Sequence, residues 1–427
     1  MITASQFKLL ATRRFLPIFI TQFLGAFNDN VFKNAIVILI VYVISVQQKF
    51  NPQIIVTIAA GILIVPFFLF SYLAGQFADK YEKGQCIRVL KIIEIVLMCF
   101  GALAFYFHNT IMLMVLLFLM GSQSTFFSPF KYSILPDHLH ENELLSGNAL
   151  LGAGTFVSIL LGTIFGGTLI LDKQGALLIG VSVILVALLG YLSSLFIPYA
   201  KVGADFRIKW NVVTETFSIM KYSAQRRDVF IAILANSWFW FLGSLFLAQF
   251  PAYTKLFLHA NEDVVVIFIS MFVAGIATGS LFCNQLLRNR VTIKYSSWAL
   301  WVMFLFIAVL YFFPYSMPPE DGKLITASVF FQHGHHAMIL IDLFCMAAAA
   351  GFYVVPLYAF IQAHTAPKHR ARTIASLNVL NALAMVVSSL LTVVMFMMHF
   401  TILDVFLFAG VCCFLIGLGL FFIRHWE

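Results

Sequence analysis

The chain has 427 residues, of which 62% are hydrophobic and 10% charged, with a formal net charge of +8 and 48 phenylalanines. A soluble domain carries about 25% charged residues, so the composition excludes a large soluble domain and describes an all-α membrane protein. With about 20 apolar residues needed per crossing, the length leaves room for roughly ten to thirteen helices.

The positive charge does not point to nucleic acid, because Lys and Arg sit in short clusters between apolar segments, the pattern that orients membrane helices. Cys99, Cys283, Cys345, Cys412 and Cys413 lie in apolar runs and Cys86 in a basic loop, so no disulfide framework is expected. Lys8, Arg13 and Arg14 precede an apolar stretch that runs past Asp29 and Lys33 without a small-residue cleavage site, which predicts an uncleaved first transmembrane helix.

Apolar segments bounded by charge or Pro/Gly clusters fall at 15–46, 53–76, 87–108, 111–135, 144–171, 175–198, 227–258, 262–287, 294–315, 335–362, 371–398 and 401–424. They predict twelve spans in two six-helix bundles, 1–198 and 227–427, joined by a polar connection at 199–226 that holds Lys201, Arg207, Lys209, Lys221 and Arg226. With the N-terminus inside, the even-to-odd connections and the termini hold 21 of the 26 Lys and Arg, which predicts that both termini are cytoplasmic. The halves also echo each other. Ser146, Asn148, Ser158, Leu160 and Leu161 recur 230 positions later as Ser376, Asn378, Ser388, Leu390 and Leu391, and Gly75 and Asp79 align with Gly279 and Cys283. A parallel repeat of this kind is the architecture of the major facilitator superfamily, with substrate bound between the halves.

The first span contains the most unusual segment, Gln22 to Asn34, in which Asp29 falls near mid-membrane at an insertion cost on the order of 3 kcal/mol. Gln22, Asp29 and Lys33 lie within about 40° of one another on one helical face, so the stripe is expected to line a cavity. The alternative is an i, i+4 pair in which Asp29 and Lys33 neutralise each other. After the second span come Gly75, Asp79 and Lys80, whose spacing suits a cytoplasmic conformational latch; the plainer reading is a positive-inside anchor. Pro129, Lys131 and Tyr132 close the fourth span, where Lys131 either snorkels to the interface or holds an anionic phosphate. Glu94 reads as half of a structural ion pair with Lys91, Lys131 or the loop before it, and Asp342 is either intramembrane or at the outer boundary.

Gly162 and Gly166 in span five, with Gly275 and Gly279 in span eight, form small-x-x-x-small patterns expected to face each other as a hinge surface. No intramembrane Arg precedes Gly121 in span four, which weighs against proton-driven drug antiport. His333, His335 and His336 read as a mobile outer loop rather than a metal site, since no Cys or spaced carboxylate accompanies them. No Walker loop, nucleophile elbow or HExxH motif occurs; the reading is of a transporter, not an enzyme, with no cofactor.

The strings QFLGAFNDN in span one, GQFADKYEKGQ after span two, FFSPFKYSILPDHL ending span four, SGNALLGAGTFVSILLGTIFGG in span five and GFYVVPLYAFIQ in span ten resemble the bacterial lysophospholipid transporters of the major facilitator superfamily. That resemblance implies a lipid flippase of the bacterial inner membrane. It would move lysophosphatidylethanolamine or a similar lysophospholipid from the outer to the inner leaflet, for reacylation by an acyltransferase that is either a separate partner or, as in some relatives, fused to the transporter. It also implies that Asp29 is the family's helix-one acidic residue; Lys33 and the absence of a basic residue in span seven depart from the family pattern. Gln22, Asn28, Asp29, Asn30, Lys33 and Lys131 are the expected headgroup residues, in a protein expected to act as a monomer within the lipid bilayer. The other reading is a major facilitator transporter of a soluble amphiphile, siderophore or metal chelate, with the histidines at its outer mouth.

Overall fold

The computed structural model describes residues 6–39, 52–170, 172–200, 206–287, 290–312, 324–332 and 334–423. These contain twelve long helices: α1 Leu16–Leu39, α2 Pro52–Lys80, α3 Lys83–Tyr106, α4 Thr110–Ser133, α5 Leu144–Leu169, α6 Gly175–Ser194, α7 Arg227–Ala252, α8 Glu262–Leu287, α9 Ser296–Phe312, α10 Gly334–His364, α11 Arg370–Met397 and α12 Ile402–Ile423. Ten are long and apolar enough to cross a membrane. The other two are α1, whose polar run lowers its hydropathy, and α9, which is apolar but short. The polar connection adds a helix of its own, Val212–Gln225.

Local chemistry sets the boundaries. Glu82 caps α3 by accepting hydrogen bonds from the amides of Gly84 and Gln85 at 2.9 and 2.5 Å, and Asn109 caps α4 through Met112 N at 3.0 Å. Each helix then sorts its faces. On α3, Val89, Ile92, Val96, Phe100 and Leu103 are exposed, while Leu90, Leu97, Met98 and Phe105 are buried. An apolar stripe exposed at helical spacing suits lipid as its solvent.

The chain divides into two compact units, Met1–Ile231 with Ile361–Ala382, and Ala232–Phe360 with Leu383–Glu427. In the first, α1 packs on α5 and α6, α2 on α4, and α3 on α4 and α6. Its core gathers Val31, Phe32, Met98, Phe105, Leu117 and Val183, with the rings of Phe32 and Phe105 edge to face at 5.3 Å. In the second, α9 lies along α12.

Each glycine pair seats a helix of its own unit. A Cβ on Gly162 would lie 2.5 Å from the Phe27 carbonyl oxygen, and one on Gly166 would strike the backbone of Val31, so both seat α5 on α1. Gly275 and Gly279 instead admit the backbone of α10 at Phe344 and Ala348. The repeat in composition reflects close packing inside each unit, because small residues let whichever neighbour the fold supplies approach. Gly279→Val is therefore expected to lower the melting temperature of the purified protein. The overpacking cost is about 1 to 3 kcal/mol and falls at the upper end because the obstructing atoms are backbone. Gly419→Ala, with nothing within 4 Å of its Cβ position, should leave it unchanged; equal melting of both variants would refute the packing role.

The histidine run is corrected. His335 and His336 belong to the first turn of α10, not to a loop, and His333 lies outside the described residues. His336 is buried, stacked on Phe330 at 4.3 Å, with Nδ1 2.9 Å from the Phe330 carbonyl oxygen. Lys49, Lys201 and Lys323 also fall outside the described residues.

Candidate functional site

The polar stripe of α1 is matched by polar groups of α4 and α5 in the same unit. Gln22 is buried; its amide donates to Thr155 Oγ1 at 2.5 Å, and its carbonyl oxygen lies 3.5 Å from Lys131 Nζ. Asp29 accepts a hydrogen bond from Ser124 Oγ at 2.6 Å, Lys33 donates to Asn30 Oδ1 at 3.2 Å, and Asn34 donates to Thr163 Oγ1 at 3.0 Å. Asp29 and Lys33 are both only half buried. Among the described residues no ion pair of 4.0 Å or less joins Asp29 to Lys33 or Lys131, so the pairwise neutralisation considered from spacing does not form. Lys131 lies over the Tyr132 ring at 4.9 Å, a cation held at the aromatic end of α4.

Asn28 departs from the expected headgroup set. One residue step turns it about 100° from Asp29, and it is fully buried, donating to Glu94 Oε1 at 3.1 Å. Glu94 itself pairs with Lys91 at 2.7 Å, both side chains being at most 2% exposed, and also accepts from Gln123 at 3.3 Å. The expected ion pair of Glu94 thus exists, with Lys91 as partner. Spacing offers Lys91 as one of several partners, and packing selects it by burying both side chains. Its signal was present in the glycines around it: a Cβ on Gly25 would sit 2.6 Å from Lys91 Nζ, and one on Gly190 3.5 Å.

A second polar cluster lies at the Lys/Arg-rich end of the unit. Asp79, at the end of α2, accepts hydrogen bonds from the backbone amides of Ala371 and Arg372 at 2.9 and 3.2 Å and from Arg372 Nε at 2.9 Å. It therefore caps the first turn of α11, where unpaired amides and the helix dipole favour an anion. Gly75, one turn earlier, is where α2 and α11 touch: a Cβ there would stand 2.8 Å from Arg372 Cα and from Ala375 Cβ. Lys80 serves a different neighbour, donating to the Phe206 carbonyl at 2.9 Å. Lys83 and Arg370 both approach Asp137, at 2.6 and 3.6 Å.

The repeat reappears as reciprocal contacts here. Asn148 on α5 exchanges two amide hydrogen bonds with Gln362 on α10, at 2.7 and 3.0 Å, and its counterpart Asn378 on α11 donates to Ser128 on α4 at 2.9 Å. Arg370 and Arg372 were not singled out from sequence; the basic run opening α11 was the available signal. In the second unit Asp342 is buried two turns into α10, and neither of its carboxylate oxygens, nor the hydroxyl of Tyr253, has a hydrogen-bond partner among the described residues.

A family profile described as Major Facilitator Superfamily matches residues 18–321. The lysophospholipid transporter LplT of Klebsiella pneumoniae is 25% identical over 359 residues, 83% of this chain and 81% of that protein. LplT of Yersinia pestis is 25% identical over 362 residues, 83% and 80% of the respective chains. Among solved structures, the major facilitator transporter FucP in its outward conformation superposes with a TM-score of 0.69 at 13% identity, covering 95% of this chain and 97% of that one. The apolar helices, the family profile over most of the chain and these similarities converge on one statement: the chain belongs to the Major Facilitator Superfamily and is a membrane transporter, not an enzyme.

Proposed function

We propose that the protein flips lysophospholipids, lysophosphatidylethanolamine among them, from the outer to the inner leaflet of the bacterial inner membrane by alternating access. The observation that carries this reading is the polar stripe of α1, whose charged groups are hydrogen-bonded to neutral side chains and not joined in an ion pair, in a chain similar over four fifths of its length to lysophospholipid transporters. A zwitterionic headgroup presents an ammonium and a phosphate. A carboxylate and two ammonium groups that are not in direct contact with one another can receive both, with Asp29 taking the ammonium and Lys33 or Lys131 the phosphate. Gln22 and Asn30 orient the two lysines, and the single acyl chain stays toward lipid, so only one end of the cargo is desolvated in protein.

In this reading the termini are cytoplasmic and the protein acts as a monomer that supplies its lipid to a separate acyltransferase. Gly75, Asp79 and the first turn of α11 form the cytoplasmic latch, broken and remade in each cycle. Lys80 supports it indirectly by tethering the connection between the halves.

The test is movement of labelled lysophosphatidylethanolamine across reconstituted vesicles, read by an external quencher, with a diacyl lipid beside it. Asp29→Asn and Lys33→Ala, each verified as inserted, should slow the lysolipid about tenfold or more, the value of one charge-assisted contact. Flipping at the unmodified rate in both variants would remove these residues from the site. Absence of lysolipid movement in the unmodified protein would remove the substrate.

A further inference from the structure

At the Lys/Arg-rich end of the first unit, α2, the helix Val212–Gln225 and the start of α11 enclose an open cavity of about 560 Å³. Its wall carries four permanent cations, Arg207, Lys209, Lys368 and Arg372, against one carboxylate, Glu215. That carboxylate is already occupied, accepting from Tyr72 Oη at 2.8 Å and Lys209 Nζ at 3.0 Å. Arg372 is fixed by Asp79 and by the Phe206 ring beneath it at 4.7 Å. Arg207 and Lys368 form no ion pair among the described residues, and both are exposed at the rim.

The cavity is built, not a chance opening. The backbone of Lys209 is held to Gln76 by two hydrogen bonds, at 2.9 and 3.0 Å, and Asn211 caps the helix that forms one wall. Trp210 and Phe217, the chain neighbours of the lining residues Lys209 and Ser218, are 70% and 69% exposed. Large exposed aromatics next to basic residues at a helix-bundle end mark the level of lipid headgroups.

From this arrangement we infer a second ligand site, distinct from the α1 stripe, that binds a phosphate group, carried by an anionic phospholipid of the leaflet facing the basic end. The phosphate sits between Arg207 and Lys368, with Lys209 and Arg372 behind it. Basic pockets between helices at such an interface are suited to acidic headgroups. Arg372 is also the partner of Asp79, so the site adjoins the α2–α11 cap.

Native mass spectrometry of the full chain in detergent, titrated with phosphatidylglycerol, phosphatidylcholine or inorganic phosphate, tests the inference. One phosphatidylglycerol per chain should be retained in preference to phosphatidylcholine. Arg207→Gln with Lys368→Gln should weaken that binding about tenfold or more, while Arg207→Lys with Lys368→Arg should preserve it, which separates lost charge from lost fold. If inorganic phosphate binds with the same residue dependence and phosphatidylglycerol does not, the phosphate site stands and its source is a soluble phosphate compound. Binding of both ligands unchanged by the glutamine substitutions would overturn it. None of these readouts involves lysolipid movement, so the result is independent of the transport reading.

Discussion

Asp79→Ala is expected to destabilise the α2–α11 junction by about 3 to 5 kcal/mol, the cost of leaving one member of a buried ion pair without its partner. Three hydrogen bonds are lost at once: two to the first-turn amides of α11 and one to Arg372 Nε. The Asp79 side chain is 1% exposed, so water does not readily replace it. Asp79→Asn should cost less, since its remaining oxygen can still accept from one amide. Arg372→Ala leaves Asp79 its two backbone donors and should fall between the two. A double-mutant cycle on melting temperature separates the terms: Asp79→Ala with Arg372→Ala should cost clearly less than the sum of the singles. Strict additivity would mean that the two side chains contribute independently and that the junction is not held by their contact. If the junction is the latch, Asp79→Ala should also slow lysolipid movement, because a penalty of about 3 kcal/mol applied to one state alone redistributes populations by roughly two orders of magnitude.

Lys91→Ala is expected to be of similar size. It would leave Glu94 with two amide donors and no cation in the bundle interior, and would also open a void against the Phe127 ring, which Lys91 Nζ faces at 5.2 Å. Loss of one partner of a buried pair costs about 3 to 5 kcal/mol, whereas replacing both with neutral groups of similar volume is often neutral or stabilising. Lys91→Met combined with Glu94→Gln should therefore recover most of the stability lost in Lys91→Ala, because Gln keeps an acceptor for Asn28 and Met fills the space along Gly25 and Gly190. Melting curves of the single and double variants decide the matter. A double variant as unstable as Lys91→Ala would show that the charge pair itself, rather than the avoidance of a stranded carboxylate, holds the bundle together.

The two cases differ in how far they could be read in advance. Gly75 and Asp79 were legible as a motif, and Glu94 as half of an ion pair, because their spacing and depth are properties of a single helix. Their partners were not equally legible. Lys91 is three residues from Glu94 and was named among the candidates, but its burial depends on glycines from α1 and α6 meeting at one point. Arg372 lies 293 residues from Asp79, and no local periodicity connects them. The same holds for Asn28, which shares a polar string with Asp29 and Asn30 yet faces the opposite environment.

Hydrophobic length and charge placement determined twelve helices and their approximate limits, because a bilayer requires every spanning segment to satisfy its own backbone with an apolar run of fixed length. The helical period also determined that Gln22, Asp29 and Lys33 share a face. Tertiary structure alone decided which helix each glycine admits, that Asp29 bonds to Ser124 and not to Lys33, that the polar connection folds as a helix against α2, and that four cations from two distant segments share one cavity. Helix formation in lipid is a local consequence of burying backbone groups. Helix pairing depends on shape and polar matches between segments far apart in the chain, and a single sequence does not display those matches until the helices are side by side.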